Sequence, residues 1–262
     1  MRIAVLQETS AVGSFDANLE LLEHHAGRAS EAGADLLVTP ELFTCGYAPA
    51  AVHQTDGAPH RRRIADMARR YGVAIVASTV EHQGDDHFIS ASLFGARGDE
   101  LTRYRKQHLF GPAEKAVFSP GTDAPAQVVL GGFTVSLGIC FDIEFPEFVR
   151  QAALAGTEIL CVPTAVPVAA DFDESDPLTF DERLVPSMVV PTRALESQLF
   201  LAYANHAGPG FAGLSSVCSP LGRRLASAGD GPELILAEVR RETLDAARTA
   251  IDYLASFAPH RP

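Results

Sequence analysis

Before it reaches Thr39 the chain has already spelled a strand, a helix and a second strand, and this alternation limits the fold more than any other feature. Ile3 to Gln7 alternates at the strand period. Asp16 stands where a helix cap belongs, and Leu19, Leu22, Ala26 and Ala29 recur at helical spacing until Gly33 ends the run. Leu36, Leu37 and Val38 form a continuous apolar run, the pattern of a strand buried on both faces. Arg61 to Tyr71 suits a surface helix and Val73 to Val80 another strand. Phe88 to Phe94 and Leu101 to Lys106 flank the turn residues Gly95 to Asp99, as in a hairpin. A hairpin inside a strand–helix alternation calls for an α/β fold with a mixed sheet.

The second half repeats the theme. Phe133, Val135, Leu137 and Ile139 alternate and leave Cys140 where a buried strand ends. Pro146 and Glu147 then open a helix through Phe148, Val149, Ala152 and Leu154 that Gly156 closes. Ile159–Val162, Phe200–Asn205, Val217–Ser219 and Leu234–Val239 read as strands, Pro191–Leu195 and Glu242–Tyr253 as helices. Gln107–Pro125 and Thr164–Pro186 show no periodicity and read as long loops, which are often functional. With no repeat, linker or compositional break, residues 1–262 are expected to form one domain.

Charge and cysteine usage narrow the function. A net charge of −12 leaves no basic face for nucleic acid or an anionic membrane. No segment has the length of a bilayer span, and MRIAVLQETS has no signal-type apolar region. The four cysteines (Cys45, Cys140, Cys161, Cys218) are widely spaced, and the histidines form no HxxxH pair. Reduced thiols, a cytoplasmic location and no metal site are the expectations.

Open α/β sheets place their chemistry at the carboxyl ends of strands. Cys140 occupies such an end, at a strand-to-helix turn whose free N–H groups suit an oxyanion. Glu41 follows Thr39 and Pro40 at another, and Lys106 closes an edge strand. A cysteine nucleophile needs a proton acceptor, an oxyanion partner and a donor for the leaving group, and a glutamate and a lysine can divide those tasks. Taken singly, a buried apolar thiol, a carboxylate at a helix entry and a solvated edge lysine are ordinary structural residues.

The words around these residues carry more. TPELFTCGY (Thr39 to Tyr47), RYRKQHLF (Arg103 to Phe110) and GICFDIEFPE (Gly138 to Glu147) resemble, in the same order, the glutamate, lysine and cysteine motifs of the nitrilase superfamily of carbon–nitrogen hydrolases. FGPAEKAVFSPG adds Glu114, which matches that superfamily's second glutamate, and the resemblance runs from Ile3 to about Val239. It implies a four-layer αββα sandwich of two mixed sheets flanked by helices, and a homodimer or higher homo-oligomer acting without cofactor or metal. Glu41 would be general base and then acid, Cys140 the nucleophile, Lys106 and the Phe141 N–H the oxyanion partners, and Glu114 an orienting group. Phe141, Tyr47, Glu144 and Thr164 would bind substrate.

The substrate is less sharply marked. Glu144 stands where relatives that bind acidic substrates carry arginine, so it either faces a cationic substrate or pairs with an internal arginine. VPTA (Val162 to Ala165) with Asp171 and Phe172 resembles the 5-aminopentanamidase-like amidases. The acidic segment that follows (Asp173, Glu174, Asp176, Asp181, Glu182) departs from them, as a pocket cover or a solvated loop. The expectation is a thiol amidase for a small linear amide, including one with a terminal amine, or an aliphatic amide. A nitrilase or N-carbamoyl amine hydrolase with the same three residues is the alternative, and a non-catalytic or redox-sensing member a further one.

Overall fold

The computed structural model describes residues 1–169, 176 and 178–257. The first half runs β1 (Arg2–Gln7), α1 (Phe15–Glu31), β2 (Leu36–Val38), α2 (Pro49–Val52), α3 (Ala58–Tyr71), β3 (Ala74–Gln83), β4 (Asp86–Phe94) and β5 (Glu100–Arg105). Then come α4 (Gly111–Lys115), β6 (Val128–Leu130), β7 (Phe133–Leu137), a 3₁₀ turn (Cys140–Glu144), α5 (Pro146–Leu154) and β8 (Ile159–Pro163). A π turn (Val185–Val189), α6 (Val190–Glu196), β9 (Phe200–Ala204), β10 (Ser216–Cys218), β11 (Arg224–Ser227), β12 (Glu233–Glu238), α7 (Arg241–Ala250) and α8 (Tyr253–Phe257) follow.

The strands form two six-stranded sheets, ordered β12-β1-β2-β3-β4-β5 and β11-β10-β9-β8-β7-β6. In the first, β1, β2 and β3 are parallel while β12, β4 and β5 pair antiparallel outside them. In the second, β7, β8 and β9 are parallel while β6, β10 and β11 pair antiparallel. The two sheets therefore share one pairing pattern, although the sequence carries no repeat.

The sheets face each other, β1 and β2 touching β9 and β3 touching β8. Because side chains alternate across a strand, β1 sends Ile3 and Val5 into the core between the sheets and Ala4 and Leu6 outward. There α1 and α3 cover them with Leu19, Leu22, Ala26, Ile64 and Met67. On the other side α5 and α6 bring Phe148, Val149, Val190 and Ala194 to the second sheet. Helix, sheet, sheet, helix is the expected αββα layering, and it explains why β2 reads as an unbroken apolar run.

Several local expectations need correction. Ser14 precedes α1, and Asp16 lies inside its first turn, paired with Arg63 at 2.6 Å. The closing helix breaks at Ile251, which is extended, before α8 begins. Gln107–Pro125 contains α4, and the short edge strands β6 and β11 have too few residues to show a period. Asp171, Phe172, Asp173 and Glu174 lie outside the described residues. Asp176 and Asp181 accept the backbone N–H of Leu178 and Arg183, as turn-forming aspartates do. Among the described residues no helix is long and apolar enough to cross a membrane, and no group of three metal-ligating side chains converges.

Candidate active site

Three chain turns bring the site together between the sheets. Just past β2 the backbone bends so tightly that Leu42 takes a φ of 50°. That bend is held from both sides: the Glu41 N–H donates to Thr164 O at 3.2 Å, and the Glu41 carbonyl accepts His206 Nε2 at 2.6 Å. Lys106 leaves the end of β5 with its N–H on Ile89 O and its carbonyl on the N–H of Gly121, each at 2.8 Å. A Cβ on Gly121 would lie 2.4 Å from Arg105 O, so only glycine lets the loop close this tightly against the lysine strand. Cys140 begins the 3₁₀ turn with a φ of 45°. A left-handed conformation costs a non-glycine residue about 1–3 kcal/mol and persists where the surroundings impose it, commonly at functional sites.

Here Asp142 does the imposing. Its Oδ2 accepts Ile139 N–H at 3.0 Å and the Tyr104 hydroxyl at 2.9 Å, and its Oδ1 accepts His108 N–H at 2.9 Å and His108 Nδ1 at 2.8 Å. One buried carboxylate thus ties the cysteine turn to β5 and to the segment just after Lys106. Neither Asp142 nor His206 is marked by period or charge pattern. Their partners are 34 and 165 residues away.

The reactive side chains are almost sealed from solvent, Glu41 and Glu114 at 0% exposure, Lys106 at 1% and Cys140 at 5%. Lys106 Nζ donates to Glu41 Oε1 and to Glu114 Oε1, both at 2.8 Å. Both Glu114 oxygens have partners, since Oε1 also accepts the Tyr47 hydroxyl at 2.6 Å and Oε2 accepts Phe110 N–H at 2.7 Å. Glu41 Oε2 is different: buried, beside the Cys140 thiol, and without a partner of hydrogen-bonding geometry. Such contacts commonly tighten only when substrate binds.

Charge follows from this packing. Burial would strip Lys106 of its proton, but Glu41, Cys140 and Glu114 outweigh it and hold the ammonium above its ordinary pKa. Burial pushes the Glu41 carboxyl up, Lys106 opposes and Glu114 assists. Burial and the neighbouring carboxylates also push the Cys140 thiol well up, so the resting sulfur is protonated. The other three cysteines are buried and free, Cys45 and Cys161 with thiols pushed up to about 12. His206 is held down to about 4 by burial and stays neutral, with its proton on the nitrogen facing the Glu41 carbonyl.

The remaining candidates divide. Phe141 sits in the first turn after Cys140, where backbone N–H groups lack helical partners. Tyr47 has its hydroxyl committed to Glu114, and Thr164 is buried with its hydroxyl on Val162 O at 3.1 Å. Among the described residues Glu144 does not pair through its carboxylate with an arginine, one of the two arrangements its sequence position suggests. Arg193 spends its guanidinium on the backbone oxygens of Ile143 and Glu144, at 2.9 and 2.8 Å, and on Glu196 at 2.8 Å. Burial raises the partly exposed Glu144 carboxyl to about 7, against the pull of Lys106 and Arg193.

A glutamate, a lysine and a cysteine are thus assembled from three strand ends in the order in which their motifs occur, and comparison with known proteins identifies the family. The carbon-nitrogen hydrolase family profile matches residues 2–249. A hydrolase encoded in the pqqF 5′ region of Pseudomonas protegens is 36% identical, covering 99% of this chain and 90% of its own. An (R)-stereoselective amidase from a Pseudomonas species is 34% identical over 84% of this chain and 78% of its own. A mutant of the amidase from Nesterenkonia sp. AN1, solved with the acetamide moiety of fluoroacetamide covalently added at the active-site cysteine, superposes with a TM-score of 0.85. It is 37% identical and covers 100% of this chain and 97% of that one. The chain belongs to the carbon–nitrogen hydrolase family, among its amidase and nitrilase members.

Proposed function

We propose that this hydrolase is a thiol amidase that converts a small linear amide to its carboxylic acid and ammonia through a Cys140 thioester. The observation that carries the reading is the unpartnered Glu41 Oε2 beside a protonated, buried Cys140 and across from a charged Lys106. A neutral thiol needs a base at the moment of attack, and a raised carboxyl is matched to taking and returning one proton near neutrality. Glu41 takes the thiol proton as Sγ bonds to the amide carbon. The carbonyl oxygen becomes an oxyanion held by the Lys106 ammonium and the Phe141 N–H. Collapse expels ammonia, which leaves with the proton returned by Glu41. Water then gives a proton to Glu41 and attacks the thioester, and the thiolate departs and is reprotonated. Glu114, bonded to Lys106 and Tyr47, keeps the lysine aimed and accepts the substrate N–H.

Glu144 supports a finer reading, in which the acyl chain ends in an ammonium. Its carboxyl lies within the field of Lys106 at the same site, and Arg193 leaves it without a side-chain counter-charge among the described residues. A cation restores the missing partner, and an added carboxylate is repelled. Ammonia release across amides, nitriles and N-carbamoyl amines tests the reaction class; amides should lead, and release confined to nitriles or carbamoyl amines would replace the amidase reading. Chain-matched amides ending in ammonium, methyl or carboxylate test the finer reading. The ammonium member should be best and Glu144→Gln should narrow its lead.

A further inference from the structure

β9 places Tyr203 directly opposite Val162 of β8, one residue before the pair Ala204 and Pro163. Its ring is wholly buried, on the face of the second sheet that it shares with Leu160 and Leu201, yet among the described residues its hydroxyl has no partner of hydrogen-bonding geometry. Buried tyrosines nearly always bond their hydroxyl, since one that loses water and gains nothing is destabilising. An orphaned phenol in a core this dense marks a place that another molecule completes.

The neighbours of the hydroxyl identify that place. Burial first, and then the nearness of Cys140 and Glu144, with a smaller effect of Glu41, raise its pKa far above the ordinary phenol value, and the Thr164 side chain lies beside it. Tyr203 is therefore a neutral group close to Cys140 and Glu144, on a strand whose end lies against Thr164, the residue that holds the Glu41 bend. The reactive end of an amide already has its partners there: Lys106 and the Phe141 N–H for the carbonyl oxygen, Glu41 and Glu114 for the nitrogen. What remains for Tyr203 is the acyl side, which it shares with Glu144.

A hydroxyl oxygen and a carboxylate are both acceptors, and together they match a primary ammonium, which has three donors and no acceptor. The span is short. Cys140 and Glu144 are the two ends of one 3₁₀ turn, roughly 8 Å apart along its axis at about 2.0 Å per residue. An acyl chain that keeps its carbonyl at Cys140 and its far end near Glu144 has room for few carbons.

We propose that Tyr203 is a specificity-determining residue of the acyl pocket, whose hydroxyl and the Glu144 carboxylate together receive the ammonium of a short amino amide held at Cys140. This rests on the amidase reading and adds a second, uncharged contact to it.

The test is Tyr203→Phe, which deletes one oxygen and keeps the ring. β-Alaninamide and butyramide are matched in shape and differ in ammonium against methyl. In the variant the ratio of their kcat/KM values should fall by about tenfold or more, the usual scale for losing a hydrogen bond to a charged group. The loss should lie mainly in KM for β-alaninamide, and circular dichroism should show the fold intact. An unchanged ratio would overturn the proposal, as would equal losses on both amides, which mark a packing role. Calorimetry in a Cys140→Ala background makes the outcome independent of turnover. There Tyr203→Phe should weaken β-alaninamide by the same factor, and no weakening, or no binding before the change, overturns the contact. If the unmodified protein releases ammonia from no amide, the amidase reading fails on its own, and the calorimetric arm still decides whether Tyr203 meets the ammonium.

Discussion

Replacing Glu144 by glutamine should stabilise the protein, and should do so only where the carboxyl would be ionised. In the folded chain this carboxyl titrates at about 7 because burial disfavours its charge, against 4.5 for an unburied glutamate. The folded state therefore binds more protons than the unfolded state between these values, and stability falls as pH rises through that window. At about 1.36 kcal/mol per unit, the penalty at slightly alkaline pH is about 3 kcal/mol at most. Glutamine mimics the protonated form. Glu144→Gln should be worth little near pH 4.5 and about 2–3 kcal/mol near pH 8, a rise in Tm of roughly 4–12 °C for a chain of this size. Paired thermal melts of the two proteins across this range isolate the residue, since every other titrating group is common to both. A Tm difference that does not grow with pH would show that the carboxylate is solvated or paired, and its part in recognising a cation would fall with it.

Other outcomes follow from the same geometry. Glu41→Gln removes the proton acceptor and Lys106→Met an oxyanion charge, and each should lower kcat by roughly a hundredfold or more in steady-state ammonia release. Glu114→Gln should do less damage, because Lys106 keeps Glu41 as a partner. The acid limb of kcat/KM should lie above the ordinary carboxylate range, since burial raises the Glu41 carboxyl and only its ionised form can take the thiol proton; a limb near pH 4 would contradict this. Asp142→Asn should weaken both attachments of the cysteine turn, lowering kcat and the melting temperature together.

The central strands were legible because they are buried on both faces and write continuous apolar runs, so that Leu36 to Val38, Ile159 to Val162 and Phe200 to Ala204 all fall where they were expected, whereas the four-layer sandwich was implied by the family resemblance. Val128–Leu130 and Arg224–Ser227 were not, since three or four edge residues facing solvent carry no period. The triad was legible through the words around Glu41, Lys106 and Cys140 more than through the residues themselves. Asp142, Tyr203 and His206 stayed hidden for one physical reason. Asp142 and His206 act through contacts with Tyr104 and Glu41 far away in the chain, Tyr203 is set apart by a buried hydroxyl that meets no partner among the described residues, and local pattern does not encode which distant atom a buried polar group will meet. Glu144 shows the same limit from the other side: its sequence position left a cationic substrate and an internal arginine both open as partners, and the fold turns Arg193 onto backbone carbonyls and Glu196.

The central claim is that Cys140 forms a covalent acyl intermediate with an amide. The most direct measurement compares ammonia release by Cys140→Ala with that by the alanine variants of Cys45, Cys161 and Cys218, with each fold verified by circular dichroism. The account predicts that turnover vanishes in Cys140→Ala alone and stays largely intact in the other three. Appreciable turnover in a folded Cys140→Ala protein would contradict it.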